Sequence, residues 1–360
     1  MKLNIVTSIW LSIIVMSLTC LADEYPTLKF SGNIMLDYDH FDENFLETPE
    51  DNESDSELEI RRLRLSLESD FHPDWSAKLS LDGNEGSEVK DVYVKYHGWA
   101  MADFTIGKQK EPFGLERLMS SKNLLMIERS MINSAISPGR SYGIKAAGGQ
   151  NSVNWQLGYF QDDNAAKSNA ITGRLTWTPW LNNKNFVHVG ASFSERSLHG
   201  DDFRINQTME VNGADSLIEG ATFNADSASL TGVELLWQQN GFVSMAEWQQ
   251  SKVKADDGNE SLYEGGYLQL SYLFSGKNRQ YENGILKGVK TKNDWEITTR
   301  YSQLKLDQEN SEAKIFSAGV NYYFNKDCKL MADYINAEYV DDGDSSGSGN
   351  AISLRAQYRF

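Results

Sequence analysis

Alternation of apolar and polar residues with a period of two dominates this chain, and it leaves few folds open. Leu28, Phe30, Gly32, Ile34, Leu36 and Tyr38 alternate with Lys29, Ser31, Asn33, Met35, Asp37 and Asp39. Far downstream, Ile352, Leu354, Ala356, Tyr358 and Phe360 alternate with Ser353, Arg355, Gln357 and Arg359. A strand turns successive side chains to opposite faces, so each segment has one greasy and one polar side. About sixteen such segments can be marked, near 28–39, 57–69, 75–83, 89–96, 102–111, 140–148, 153–161, 169–178, 185–195, 228–238, 241–252, 262–274, 294–306, 313–324, 328–340 and 350–360. A weaker alternation at 202–211 is assigned to a loop.

The links between segments sort by parity. Those after even segments are short (70–74, 97–101, 149–152, 179–184, 239–240 and 325–327), and long ones at 40–56, 112–139, 196–227 and 341–349 follow odd segments. Membrane barrels have this asymmetry, with short periplasmic turns and long external loops, and a soluble sandwich has no reason to. The exception is 275–293, a long link where a short turn is expected.

Past residue 22 no run approaches the roughly 18 apolar residues of a membrane helix, and mean hydropathy is −0.50. A helical membrane protein is thereby excluded, whereas a transmembrane barrel is not, because its alternating strands average out as polar. Lys2, the apolar run Ile5 to Leu18 and the small-x-small step Cys20-Leu21-Ala22 read as a secretory signal over residues 1–22. A lipid anchor on Cys20 is the alternative. Once the signal is cleaved Cys328 stands alone, so the mature domain, 23–360, cannot rest on an internal disulfide.

The formal charge of −17 argues against nucleic acid as a partner, though a global sum says little about a local pore lining. The expected fold is a sixteen-stranded antiparallel transmembrane β-barrel whose greasy side meets the lipid of a Gram-negative outer membrane, beside lipopolysaccharide. Closure follows because lipid cannot satisfy a free strand edge. Sixteen strands also leave a lumen too wide for side chains to fill. The C-terminal Phe360 on an amphipathic strand resembles the signal read by the barrel-assembly machinery.

Segment 112–139, the third external loop, carries Pro112, Gly114, Pro138 and Gly139 together with Leu124, Leu125, Met126, Ile127, Met131 and Ile132. A solvated loop has little use for these apolar residues, and a loop folded into the barrel could pack them on the wall. The alternative is an external loop with a short helix. Basic residues gather here: Arg62, Arg64, Lys78 and Lys95 on inward phases, Lys108 and Lys110 before the loop, Arg117, Lys122 and Arg129 within it. Arg140, Lys145, Arg174 and Arg300 follow on inward phases, opposed by Asp82, Asp91, Glu247 and Glu296. Rings of Arg and Lys favour anions, and the guanidinium fork matches an oxyanion.

Several stretches resemble the phosphate-selective porin O and P family. They are Gly107 to Glu116 (GKQKEPFGLE), Arg61 to Arg64, Ile127 to Ser130, Phe274 to Lys277 with Tyr281, Gly319 to Phe324, and Met331 to Tyr334. The resemblance implies a homotrimeric porin with an inward third loop, passing small anions such as phosphate or polyphosphate by passive diffusion. Arg62, Arg64 and Lys78 would form its basic wall, and Lys110 and Arg140 join the candidate anion-binding residues. Arg117, Ser120, Ser121, Lys122 and Arg129 would be donors at the constriction. Hydroxyls can donate to an oxyanion without adding charge.

Residues 42–59 hold nine acids, Asp42, Glu43, Glu47, Glu50, Asp51, Glu53, Asp55, Glu57 and Glu59, read as a solvated external loop or as a divalent-cation bridge to lipopolysaccharide. An enzyme is the weaker reading: His188 and Ser192 share a face, but no Gly-x-Ser-x-Gly elbow, phosphate-binding loop or Cys/His metal cluster is present. No cofactor and no metal are expected. A general diffusion pore, and a barrel with an adhesive or envelope-anchoring role, are the remaining alternatives.

Overall fold

A computed structural model describes residues 25–42, 56–84, 86, 88–162, 168–182, 184–208, 210–212, 214, 218–341 and 344–360. The signal segment and most of the acidic first link lie outside the described residues. Sixteen strands form one closed antiparallel barrel: β1 Thr27–Phe41, β2 Ser56–His72, β3 Trp75–Asp82, β4 Glu88–Tyr96, β5 Asp103–Lys110, β6 Arg140–Gln150, β7 Val153–Gln161, β8 Asn169–Asn182, β9 Asn185–Phe203, β10 Phe223–Gln239, β11 Phe242–Ala255, β12 Glu260–Leu273, β13 Asp294–Leu306, β14 Ser311–Tyr323, β15 Cys328–Asp341 and β16 Asp344–Arg359. Each of the sixteen expected segments has its strand. Closure pairs β1 with β16 from Asn33↔Arg359 to Phe41↔Ala351, and the Gly32 N–H donates to the Phe360 carbonyl at 3.0 Å.

Burial is inverted relative to a soluble protein. On β13, Trp295, Ile297 and Tyr301 are exposed, while Glu296, Thr298, Arg300 and Ser302 are buried. An apolar face kept outward over the whole ring has lipid as its solvent. Aromatic pairs mark one rim of the band, at the short-turn end: Trp75 with Tyr96 at 4.9 Å and Trp295 with Tyr322 at 4.6 Å between ring centroids. Such belts sit at the membrane–water boundary, where an amphipathic ring keeps one edge wet.

Two links differ from expectation. Of the expected loop at 341–349, the described residues 341 and 344–349 belong to strand, because β15 and β16 stay paired as far as Asp341↔Asp344. The wrongly long link after β12 is not a turn. It folds into the lumen, carries a two-residue ribbon (Tyr281–Glu282 with Ile285–Leu286), and reaches Gly284, whose carbonyl accepts from Arg174 at 2.7 Å.

The wall is also uneven. Strands β3, β4, β5 and β7 have 8, 9, 8 and 9 residues, against 13 to 19 for β8 to β16. The core lies inside the barrel on the tall side. There Phe113, Leu115, Met119, Leu125 and Ile132 of the third loop join Leu230, Tyr263, Leu304, Ile315 and Ile335 of the wall. The inward face of this half is therefore partly apolar, because it packs protein rather than water.

Candidate functional site

The third loop turns inward at Gly114, whose φ is +68°. A Cβ there would stand 2.9 Å from Glu247 Oε2, so both backbone and space require glycine. Glu247, buried on β11, accepts from the Leu115 and Glu116 N–H groups at 2.8 and 2.7 Å and from the Tyr267 hydroxyl at 2.7 Å. It thus takes up orphan donors of α1, Leu115–Leu118. At the other end of α1, Lys110 Nζ donates to the carbonyls of Arg117, Leu118 and Met119 at 2.6, 3.3 and 3.0 Å.

The loop then crosses the lumen as irregular backbone, whose polar groups need partners. The tall wall supplies them. Asn321 donates to the Leu125 carbonyl at 2.9 Å, Lys329 to Leu124 at 3.2 Å and Arg355 to Ile127 at 2.6 Å, while Asp333 accepts from the Ile127 N–H at 2.7 Å. On the return, α2 (Met131–Ala135) begins where the Met131 N–H reaches Glu210 Oε1 at 2.9 Å. Arg300 joins this corner, donating to Glu210 Oε2 at 2.9 Å, Glu116 Oε1 at 3.4 Å and the Glu128 carbonyl at 3.0 Å. The segment carrying Glu210 is a second inward loop. Arg174 and Arg300, expected to follow the pore lining, are instead buried clamps behind the folded-in segments.

What remains open is a cavity of about 1360 Å³ along the low wall. All ten residues singled out from the sequence line it: Arg62, Arg64, Lys78, Lys110, Arg117, Ser120, Ser121, Lys122, Arg129 and Arg140. Its two sides differ in charge balance. On the wall, bases meet acids: Lys78 with Glu68 at 2.8 Å, Arg140 with Asp91 at 2.8 Å, Lys95 with Asp103 at 2.5 Å. Among the described residues Arg62 and Arg64 share Asp82 as their ion-pair partner, and the Nε of each is buried without a hydrogen-bond partner.

On the loop side, Lys110, Arg117 and Arg129 donate to carbonyls, and among the described residues none of these or Lys122 is ion-paired. Burial, together with Arg129 and Arg140, pushes the Arg117 guanidinium down to about 10. Burial, Arg359 and Lys78 likewise lower Lys122. The loop side is thus a concentration of cations that no carboxylate among the described residues pairs.

Sequence reasoning missed the floor of this cavity. Asn283, Ile285 and Lys287 of the inward link after β12 line it, and the only signal was that link's anomalous length. His188 and Ser192 do not form a reactive pair. His188 Nδ1 meets the Tyr281 hydroxyl at 2.6 Å and its Nε2 meets Glu234 at 2.8 Å, while Ser192 Oγ accepts from the Gly114 N–H at 3.2 Å.

The sequence model of the family described as "Phosphate-selective porin O and P" matches residues 28–360. The chain belongs to that family. It is an outer-membrane anion porin. This porin is similar to Porin O of Pseudomonas aeruginosa, 26% identical over 94% of this chain and 89% of that protein. In fold it resembles an anion-selective porin from Comamonas acidovorans, with a TM-score of 0.64, 13% identity and coverage of 93% of this chain and 100% of that one. It also resembles the in-vitro folded outer-membrane protein OmpT of Vibrio cholerae in its trimer form, with a TM-score of 0.60, 12% identity and coverage of 94% and 100%.

Proposed function

We propose that this porin passes phosphate or short polyphosphate by passive diffusion between the basic loop face and the low wall. The observation that carries this reading is the unequal pairing: two buried guanidinium Nε–H donors that make no hydrogen bond on the wall, opposite four cations, Lys110, Arg117, Lys122 and Arg129, that pair with no carboxylate among the described residues. An oxyanion entering here gains charge-assisted hydrogen bonds that the protein does not otherwise satisfy. Ser120 and Ser121 would add neutral donors, and Ser121 Oγ is itself buried without a partner.

The porin reading carries a signal peptide over residues 1–22, recognition of Phe360 during barrel assembly, and contact with lipopolysaccharide at the loop end. The short strands support a homotrimer. An 8-residue strand tilted near 45° rises about 19 Å, short of the roughly 25 Å apolar band of a lipid-facing wall. A neighbouring protomer would cover the deficit, as the related fold known in trimer form suggests. One observation favours a second reading, a general diffusion pore: the wall bases Lys78, Lys95 and Arg140 are already neutralised by acids.

Reconstitution in planar bilayers separates the two. Phosphate-selective passage predicts anion-set reversal potentials in a salt gradient and block of chloride current by added phosphate. Equal cation and anion permeability without block would leave only the diffusion pore.

A further inference from the structure

At the loop end of the lumen, away from the anion cavity's lining, Asp37 and Asp39 of β1 stand against Glu59 of β2. Ligand oxygens of the three lie within 4.8 Å of one another. Both aspartates are 1% exposed, and Glu59 is half-buried. Carboxylates brought this close out of water repel strongly unless something positive stands between them.

The neighbouring bases do not suffice. Arg355 takes Asp37 at 2.7 and 2.5 Å and also Glu128 at 2.8 Å, and Arg61 takes Glu128 at 2.9 Å. Among the described residues Asp37 and Glu128 thus take up these two guanidiniums, and neither Asp39 nor Glu59 is ion-paired.

A second observation points to what fills the gap. Asp39 Oδ1 accepts from the Ser353 hydroxyl, but its Oδ2 is buried with no hydrogen-bond partner. Glu59 uses one oxygen to accept from Asn212, and among the described residues its other oxygen makes no hydrogen bond. A buried carboxylate oxygen without a donor costs free energy, and burial of this kind is tolerated when the charge coordinates a metal.

We infer that Asp37, Asp39 and Glu59 bind one calcium-class divalent cation. Calcium fits better than a softer metal because all three ligands are carboxylate oxygens, with no nitrogen or sulfur donor among them. Its larger coordination number also tolerates an irregular set completed by water. The ion would offset the carboxylates that no base pairs. It would fasten β1 to β2 and, through Asn212 on Glu59, hold the second inward loop.

The test uses full-length mature protein, folded in detergent and stripped with a chelator, titrated with calcium chloride alone by calorimetry and followed by thermal melting. Expected are one saturable site per chain, a rise in Tm on adding calcium, and at least ten-fold weaker binding for both Asp39→Asn and Glu59→Gln. Should Asp39→Asn fail to fold, Glu59→Gln carries the comparison. A triple variant of the acidic link, Glu50→Gln, Asp51→Asn and Glu53→Gln, should leave the site intact. Overturning results would be no saturable uptake, uptake lost in the triple variant instead, or an Asp39→Asn protein that melts higher in chelator and calcium alike. The last outcome would mean that Asp39 is simply protonated.

Discussion

Arg62 and Arg64 converge on a single oxygen: Asp82 Oδ2 lies 3.5 Å from Arg62 Nε and 2.6 Å from Arg64 Nη2. One carboxylate thus restrains two guanidiniums at the wall of the pore, and it competes with any passing anion for both. Asp82→Asn should release them. A hydrogen bond to a charged group is worth about 1.5 kcal/mol, so phosphate should block chloride current at roughly ten-fold lower concentration. Single-channel titration checks this, and unchanged block would mean that neither arginine reaches the solute.

Lys122 and Arg129 should separate binding from architecture. Arg129 holds the loop, donating to the Glu116 and Met119 carbonyls at 3.1 and 2.8 Å, whereas among the described residues no such bond ties the Lys122 ammonium. Lys122→Ala should weaken phosphate block with Tm unchanged. Arg129→Ala should weaken block and also lower Tm, at about 1.5–3 kcal/mol for the charged hydrogen bonds lost. Equal Tm losses in both variants would remove Lys122 from the solute path.

The lowered Lys122 also sets a pH dependence. A depressed ammonium sheds its proton at lower pH than an ordinary lysine, so its contribution is present at neutral pH and fades earlier on the alkaline side. Sulfate, whose own charge is constant there, is the probe. Its block should weaken at lower pH in the native porin than in Lys122→Arg, and coincident profiles would exclude Lys122.

Arg300 clamps both inward loops, so Glu210→Gln should release the third loop. Breaking a buried pair leaves an uncompensated charge at about 3–5 kcal/mol. The expected readouts are a larger single-channel conductance and weaker ion preference in a barrel that still inserts. Conductance equal to the native value would show that the wall packing alone holds the loop.

The low wall can be probed from the lipid side. In a Cys328→Ser background, a fluorophore at Ile297→Cys on the tall wall should be quenched by brominated acyl chains. One at Ile144→Cys on β6 should be protected. Equal quenching at both sites would leave the low wall facing lipid rather than a neighbouring protomer.

Much of this molecule was readable from residues alone, because a period of two is a local property that every strand carries independently. Leu, Trp and Tyr on one phase and Arg, Glu and Ser on the other mark each strand without knowledge of its partner. Pro112, Gly114 and the misplaced apolar run Leu124 to Ile127 likewise announce a loop that cannot stay in water.

Pairing is different, since it depends on which residues meet across the lumen. Lys78 and Lys122 look alike in the sequence, yet the fold gives the first Glu68 and, among the described residues, leaves the second without an ion-paired carboxylate. Arg64 and Arg300 share an inward phase, but one lines water and the other is sealed behind two loops. The link after β12 showed only an odd length until its Tyr281 met His188 across 93 positions of chain. The chain's alternation therefore determined the barrel and its lipid-facing side, and the apolar run Leu124 to Ile127 marked one of the segments that enter it. Which charges remain unpaired, and so where an ion can be held, was decided only by tertiary structure, because neutralisation is a relation between side chains distant in sequence.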